Sequence, residues 1–189
     1  SQFFYWSSGT IAIAAVALAM RTIAEERQNR TLVLLNTSPV RDASIVAGKF
    51  LAALVFLVGL LALTLYMPLL IMVRGKISTE QVIVGYAGLL LLGAAVLAIG
   101  VFASALTRHQ LVAVLIGAAI TVVMYLFWPL SEKLDAPLKG VFAALAIHAR
   151  HFRGFMTGTL HLRDVVYYLA VIYFFLLMAV KTMEAKRWN

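Results

Sequence analysis

Four histidines, eight carboxylates and no cysteine make up most of the chemistry that this sequence could perform. His148 and His151 stand three residues apart, a spacing that lets two imidazoles on one helical face reach a common metal ion. No Asp or Glu joins them at ligand spacing, and the missing cysteines exclude thiolate sites, disulfides and thiol nucleophiles. The pair is therefore expected as solvated interfacial side chains, with no metal site, cofactor or catalytic residue assigned. His109, His148, His151 and His161 all fall between apolar stretches, whereas haem ligation would want histidines at mid-depth within them. No carboxylate lies deep in an apolar stretch, which argues against a proton- or sodium-coupled carrier. A GxxxxGK[ST] phosphate loop is also missing, so this chain does not hydrolyse ATP itself.

The elements that would carry these residues are membrane helices. Of 189 residues, 63% are hydrophobic and 13% charged, with a mean hydropathy of +0.95, more apolar surface than a soluble domain of this length could bury. A hydrocarbon layer about 30 Å thick needs roughly 20 apolar residues at about 1.5 Å rise each. Five such spans are predicted, at about 3–20, 50–73, 82–106, 111–130 and 165–180, giving an all-α, polytopic membrane helix bundle in one domain. Thr107-Arg108-His109-Gln110 is so short a turn that the spans on either side of it must be antiparallel neighbours. Small residues four apart, as in Ala15 and Ala19, Ala94 and Ala98, Gly100 and Ser104, and Ala113, Gly117 and Thr121, offer close-packing faces. The net charge of +8 is dispersed among connectors without interleaved aromatics, so nucleic acid is not a predicted partner.

Two connectors are long enough to do more than join spans. The segment 21–49 starts with helix formers of mixed charge and breaks at Asn36-Thr37-Ser38-Pro39, where Ser38 and Pro39 suit the cap and first turn of a new helix. Val40, Ala43, Val46, Ala47 and Phe50 then share a face that leads into the next span, so the segment reads as an elbow. The segment 131–164 holds Leu138, Val141, Phe142, Leu145, Ala149, Phe152 and Met156 at three- and four-residue spacing, which predicts an amphipathic or re-entrant helix over 138–156. With the elbow placed in the cytoplasm, Arg21, Arg27, Arg30, Arg41, Lys49, Arg108, Lys181, Lys186 and Arg187 lie inside, a small majority of the 16 basic residues. The 131–164 segment is then outside.

The runs Met20-Arg21-Thr22-Ile23-Ala24-Glu25-Glu26-Arg27, Thr31-Leu32-Val33-Leu34-Leu35-Asn36-Thr37-Ser38-Pro39-Val40 and Ile45-Val46-Ala47-Gly48-Lys49-Phe50 closely resemble ABC-2 type transporter permeases. Within that family the chain is most similar to the branch of gliding-motility and nitrous-oxide-reductase-maturation permeases, to which His151-Phe152-Arg153-Gly154-Phe155, Gly158 and Leu162-Arg163-Asp164-Val165-Val166-Tyr167-Tyr168 also point. The resemblance implies six spans, the first of which would precede Ser1. It also implies a second permease subunit, identical or not, and a cytoplasmic ABC ATPase subunit that binds ATP and Mg. The family's coupling helix, which docks on the ATPase, corresponds to Glu25, Glu26, Arg27, Thr37, Ser38 and Pro39. Arg30 stands where the family commonly has Gly, and Val33 where it commonly has Glu.

The expected function is thus a permease subunit, of exporter type, in a bacterial or archaeal inner membrane, in contact with membrane lipid and with room for an accessory protein on the outer side. A non-transporting anchor of an ABC-type complex is the alternative, and a membrane-embedded enzyme a more distant one. The latter predicts polar residues converging at one depth from several spans.

Overall fold

A computed structural model describes residues 2–20, 22–24, 41–68, 70, 78–136 and 138–187, and its described residues form helices and turns without strands. The helices are α1 (Gln2–Ala19), α2 (Asp42–Thr64), α3 (Thr79–Leu106), α4 (Gln110–Ser131), α5 (Leu138–Leu145), α6 (Arg153–Thr157) and α7 (Leu162–Arg187). Five of them, all but α5 and α6, are long and apolar enough to cross a membrane. The described part is therefore a polytopic all-α bundle.

Helix α3 is its axis. It packs against α1, α2, α4, α6 and α7, and 78% of its most apolar stretch is buried, against 17% for α2 and α7. Ser78 starts it as an N-cap whose side chain accepts from the Gln81 N–H, with Glu80 in the first turn at the positive end of the helix dipole. Lys186 closes the other end by donating from Nζ to the carbonyls of Leu106 at 2.7 Å and Ala105 at 3.2 Å, both in the last turn of the helix.

Small residues set how closely the helices approach. A Cβ on Gly100 would fall on the Ala19 Cβ, one on Gly85 into the Phe4 ring, and one on Gly88 on Phe155. Ala15, Ala19, Ala94, Ala98, Ser104, Ala113 and Thr121 are all buried, so the small-residue spacing does mark packing faces. Lipid is as apolar as a leucine side chain, hence tight backbone approach and polar contacts rather than hydrophobic burial hold such a bundle together.

Two local expectations need correction. The segment 138–156 is not one helix, because α5 stops at Leu145, residues 146–152 turn, and α6 follows as a single turn ended by Gly158 at φ 81°. On α5 the stripe residues Leu138, Val141 and Leu145 are exposed, while Ala143 packs inward. At the start of α2 the buried face is Asp42, Ile45, Val46 and Phe50, with Ala43 and Ala47 turned outward. In each case an apolar surface that a soluble protein would have to bury can face lipid here, so the apolar stripe does not identify the core.

Candidate functional site

The residues predicted to meet an ATPase, Glu25, Glu26, Arg27, Thr37, Ser38 and Pro39, lie outside the described residues. The structure does give the roots of the segment that carries them. Beyond Ala19 the chain turns, with Thr22 Oγ1 donating to the Ala19 carbonyl at 2.7 Å. The next two backbone N–H groups, of Ile23 and Ala24, both donate to the Ser104 Oγ of α3, at 3.0 and 2.8 Å. That hydroxyl in turn donates to the Met20 carbonyl at 3.4 Å. Ile23, Ala24 and Ser104 are all fully buried. One side chain on the central helix thus satisfies two orphan N–H groups at the point where the 21–49 segment leaves α1.

At its far side the same segment runs into α2, whose Arg41 N-cap is extended and whose first buried residue is Asp42. Ile45, Val46 and Phe50 continue that buried face. Both ends of the segment are therefore fixed to the bundle, one by hydrogen bonds and one by packing.

A second polar group gathers at the opposite end of the bundle, and reasoning from sequence missed it. His148 and His151 are buried rather than solvated. The His148 Nε2 lies 2.8 Å from the Ser8 Oγ of α1. Ser8 spends its own proton on the Tyr5 carbonyl at 2.6 Å, so the imidazole donates Nε2–H and the serine accepts. This direction matters for chemistry, because an imidazole that donates to a hydroxyl cannot take its proton, and no nucleophile is activated. Tyr125 stacks on His148 with ring centroids 5.0 Å apart, and Tyr5 and Phe152 pack on it too. Burial pushes the imidazole down to about 4, which keeps it neutral around pH 7.

His151 differs. Its Nδ1 lies 2.8 Å from Asp164 Oδ1 and its Nε2 3.2 Å from the Ala144 carbonyl, so both ring nitrogens face acceptors. Tyr167 stacks on it at 3.8 Å and 9°. The hydroxyls of Tyr167 and Tyr168 donate to the carbonyls of Leu145 and Ile147 at 2.9 and 2.8 Å. Together these contacts supply partners for the non-helical backbone between α5 and α6, which would otherwise be costly at the edge of a membrane. The one signal in the sequence was the polar, aromatic start of α7, Asp164 to Tyr168, opposite a histidine-bearing connector.

The match to known families now decides between a permease and the other membrane proteins that such a bundle could be. Residues 6–169 match the model of the ABC-2 family transporter protein, from α1 well into α7. The chain belongs to the ABC-2 transporter family. No curated protein and no solved structure matches it. As an ABC-2 family protein it is a multi-pass membrane component of an ABC transporter, and the family implies partnership with an ABC ATPase subunit.

Proposed function

We propose that this ABC-2 family chain is the permease subunit of an ATP-driven exporter in a bacterial or archaeal inner membrane. Its 21–49 segment lies in the cytoplasm as the coupling element, and ATP and Mg are bound by the partner ATPase. Glu25, Glu26, Arg27, Thr37, Ser38 and Pro39 are the docking residues. A second permease subunit completes the pathway, and the 131–164 segment faces outward, where an accessory protein has access to it.

The observation that supports this reading is the double acceptance by Ser104. A segment that is to move a bundle must be attached to it stiffly, and here the attachment is to the helix that every other span touches. A push on the elbow would then reach α3 directly, and each nucleotide state of the ATPase would favour its own arrangement of α1 against α3. An enzymatic reading gains nothing from the Ser8–His148 contact, since the hydrogen-bond direction leaves the serine unactivated.

The test is affinity purification of the complete subunit from solubilised native membranes, comparing wild type with Glu26→Lys and Ser38→Trp. An ABC ATPase subunit that copurifies with wild type and is lost from both variants supports the docking role. If no ATPase accompanies the wild type, the proposal fails.

A further inference from the structure

Beside the polar connector, the last turn of α4 and the first turn of α5 enclose a cavity of about 420 Å³ lined by Trp128, Ser131, Glu132, Lys139, Ala143 and Arg150. Arg150 is only partly exposed, yet neither it nor Lys139 forms an ion pair or side-chain hydrogen bond with any described residue. Glu132 is likewise without an ion pair among the described residues. Two cations and one carboxylate around one cavity leave a single positive charge unmatched. A guanidinium withdrawn from water gains most from a phosphate oxygen, which it can engage through two parallel N–H bonds.

One turn further into the bundle, an apolar groove of about 650 Å³ runs between α4 and α7, with Ile120, Val123, Phe127, Leu145, Val171 and Phe174 among its walls. Phe127 lines the groove and its neighbour Trp128 the cavity, so the two lie at adjoining levels of α4. Indoles at that level are typical of the headgroup layer. A charged chamber at headgroup height followed by an apolar channel along two spans has the outline of one amphiphile.

We propose that this composite site holds an anionic glycerophospholipid of the leaflet on the 131–161 side. Lys139 and Arg150 take its phosphate, Glu132 accepts hydrogen bonds from a polyhydroxyl headgroup, and one acyl chain lies in the groove. The lipid is a resident ligand, not cargo. It bridges α4, α5 and α7, of which α4 and α5 pack directly, Phe127 against Phe142, and α5 is tied to α7 by the Tyr167 hydroxyl on the Leu145 carbonyl. Its single negative charge neutralises the unmatched positive one, as in other basic pockets that select anionic lipids. The site stands independently of ATPase docking.

Native mass spectrometry of the delipidated full-length subunit, titrated with phosphatidylglycerol or phosphatidylcholine, tests this. The wild type is expected to bind one phosphatidylglycerol at least tenfold more tightly than phosphatidylcholine. Lys139→Gln with Arg150→Gln should erase that preference. Val171→Trp, which fills the groove and touches no charge, should weaken phosphatidylglycerol binding about tenfold, and size-exclusion chromatography verifies that each variant is folded. Equal binding of both lipids by wild type overturns the proposal, as does an unchanged preference in the charge variant. Unchanged binding in Val171→Trp, or displacement of the lipid by millimolar inorganic phosphate, would identify a free-phosphate pocket instead.

Discussion

His151 Nδ1 sits 2.8 Å from Asp164 Oδ1, and both residues are almost completely buried although thirteen positions and a one-turn helix separate them in the chain. Arg163 approaches the same carboxylate from its exposed side at 3.7 Å, and Tyr167 covers the imidazole. The pair ties the turn at 146–152 to the start of α7.

Removing one member of such a pair leaves the other's polar atom buried without its partner. Asp164→Leu alone is expected to lower stability by about 1–3 kcal/mol, because His151 Nδ1 is left buried without its acceptor, whereas His151→Phe combined with Asp164→Leu should lie much closer to wild type, because two apolar groups leave nothing unpaired. Thermal unfolding in detergent micelles, run as a double-mutant cycle, reads the difference. A double variant as unstable as the sum of its singles would show that the pair does not act as a unit.

His148 makes the polar cluster between α5 and α7 sensitive to acid. Its folded-state value near 4 lies below the ordinary 6.5, so between these pH values the unfolded chain binds the proton that the folded one refuses. Stability is full above about pH 6.5 and falls as the pH drops toward 4, by about 2–3 kcal/mol in all. His148→Gln should flatten this part of the profile. A melting curve whose pH dependence between 6.5 and 4 matches wild type in that variant would place the acid sensitivity elsewhere.

The crossing of α1 over α3 depends on a missing methyl group. Gly100→Ala puts a Cβ onto that of Ala19 and is expected to cost about 1–3 kcal/mol by overpacking. Gly100→Ala with Ala19→Gly moves the methyl group across the interface. Once that clash is gone, the nearest remaining atoms are at 3.7 and 3.9 Å, ordinary contact distances. The exchange should recover most of the lost melting temperature, and no recovery would mean that the two backbones do not meet there.

Ser104→Ala deprives two buried N–H groups of the hydroxyl they donate to and should cost about 1–3 kcal/mol for each one left unsatisfied. If Ser104 transmits force from the elbow, ATPase subunits should still copurify with the variant while substrate-stimulated ATP hydrolysis in nanodiscs falls severalfold. Stimulation equal to wild type would confine Ser104 to a structural role.

The sequence alone determined that this chain is an all-α membrane bundle, because a segment crossing hydrocarbon must be continuously apolar and bonded within itself, and five stretches meet that demand. It also marked the close-packing faces through Ala15, Ala19, Gly100 and Ser104, since only small side chains let backbones approach in lipid. The motif around Glu25 and Ser38 pointed to the family that residues 6–169 match. Which helix is central was left to the tertiary structure, for hydropathy cannot separate α3 from α2 when core and solvent are equally apolar. The burial of His148 and His151 was hidden for a related reason. Their partners Ser8 and Asp164 come from α1 and α7, and only the folded bundle brings a histidine in a connector against a carboxylate at the edge of a span.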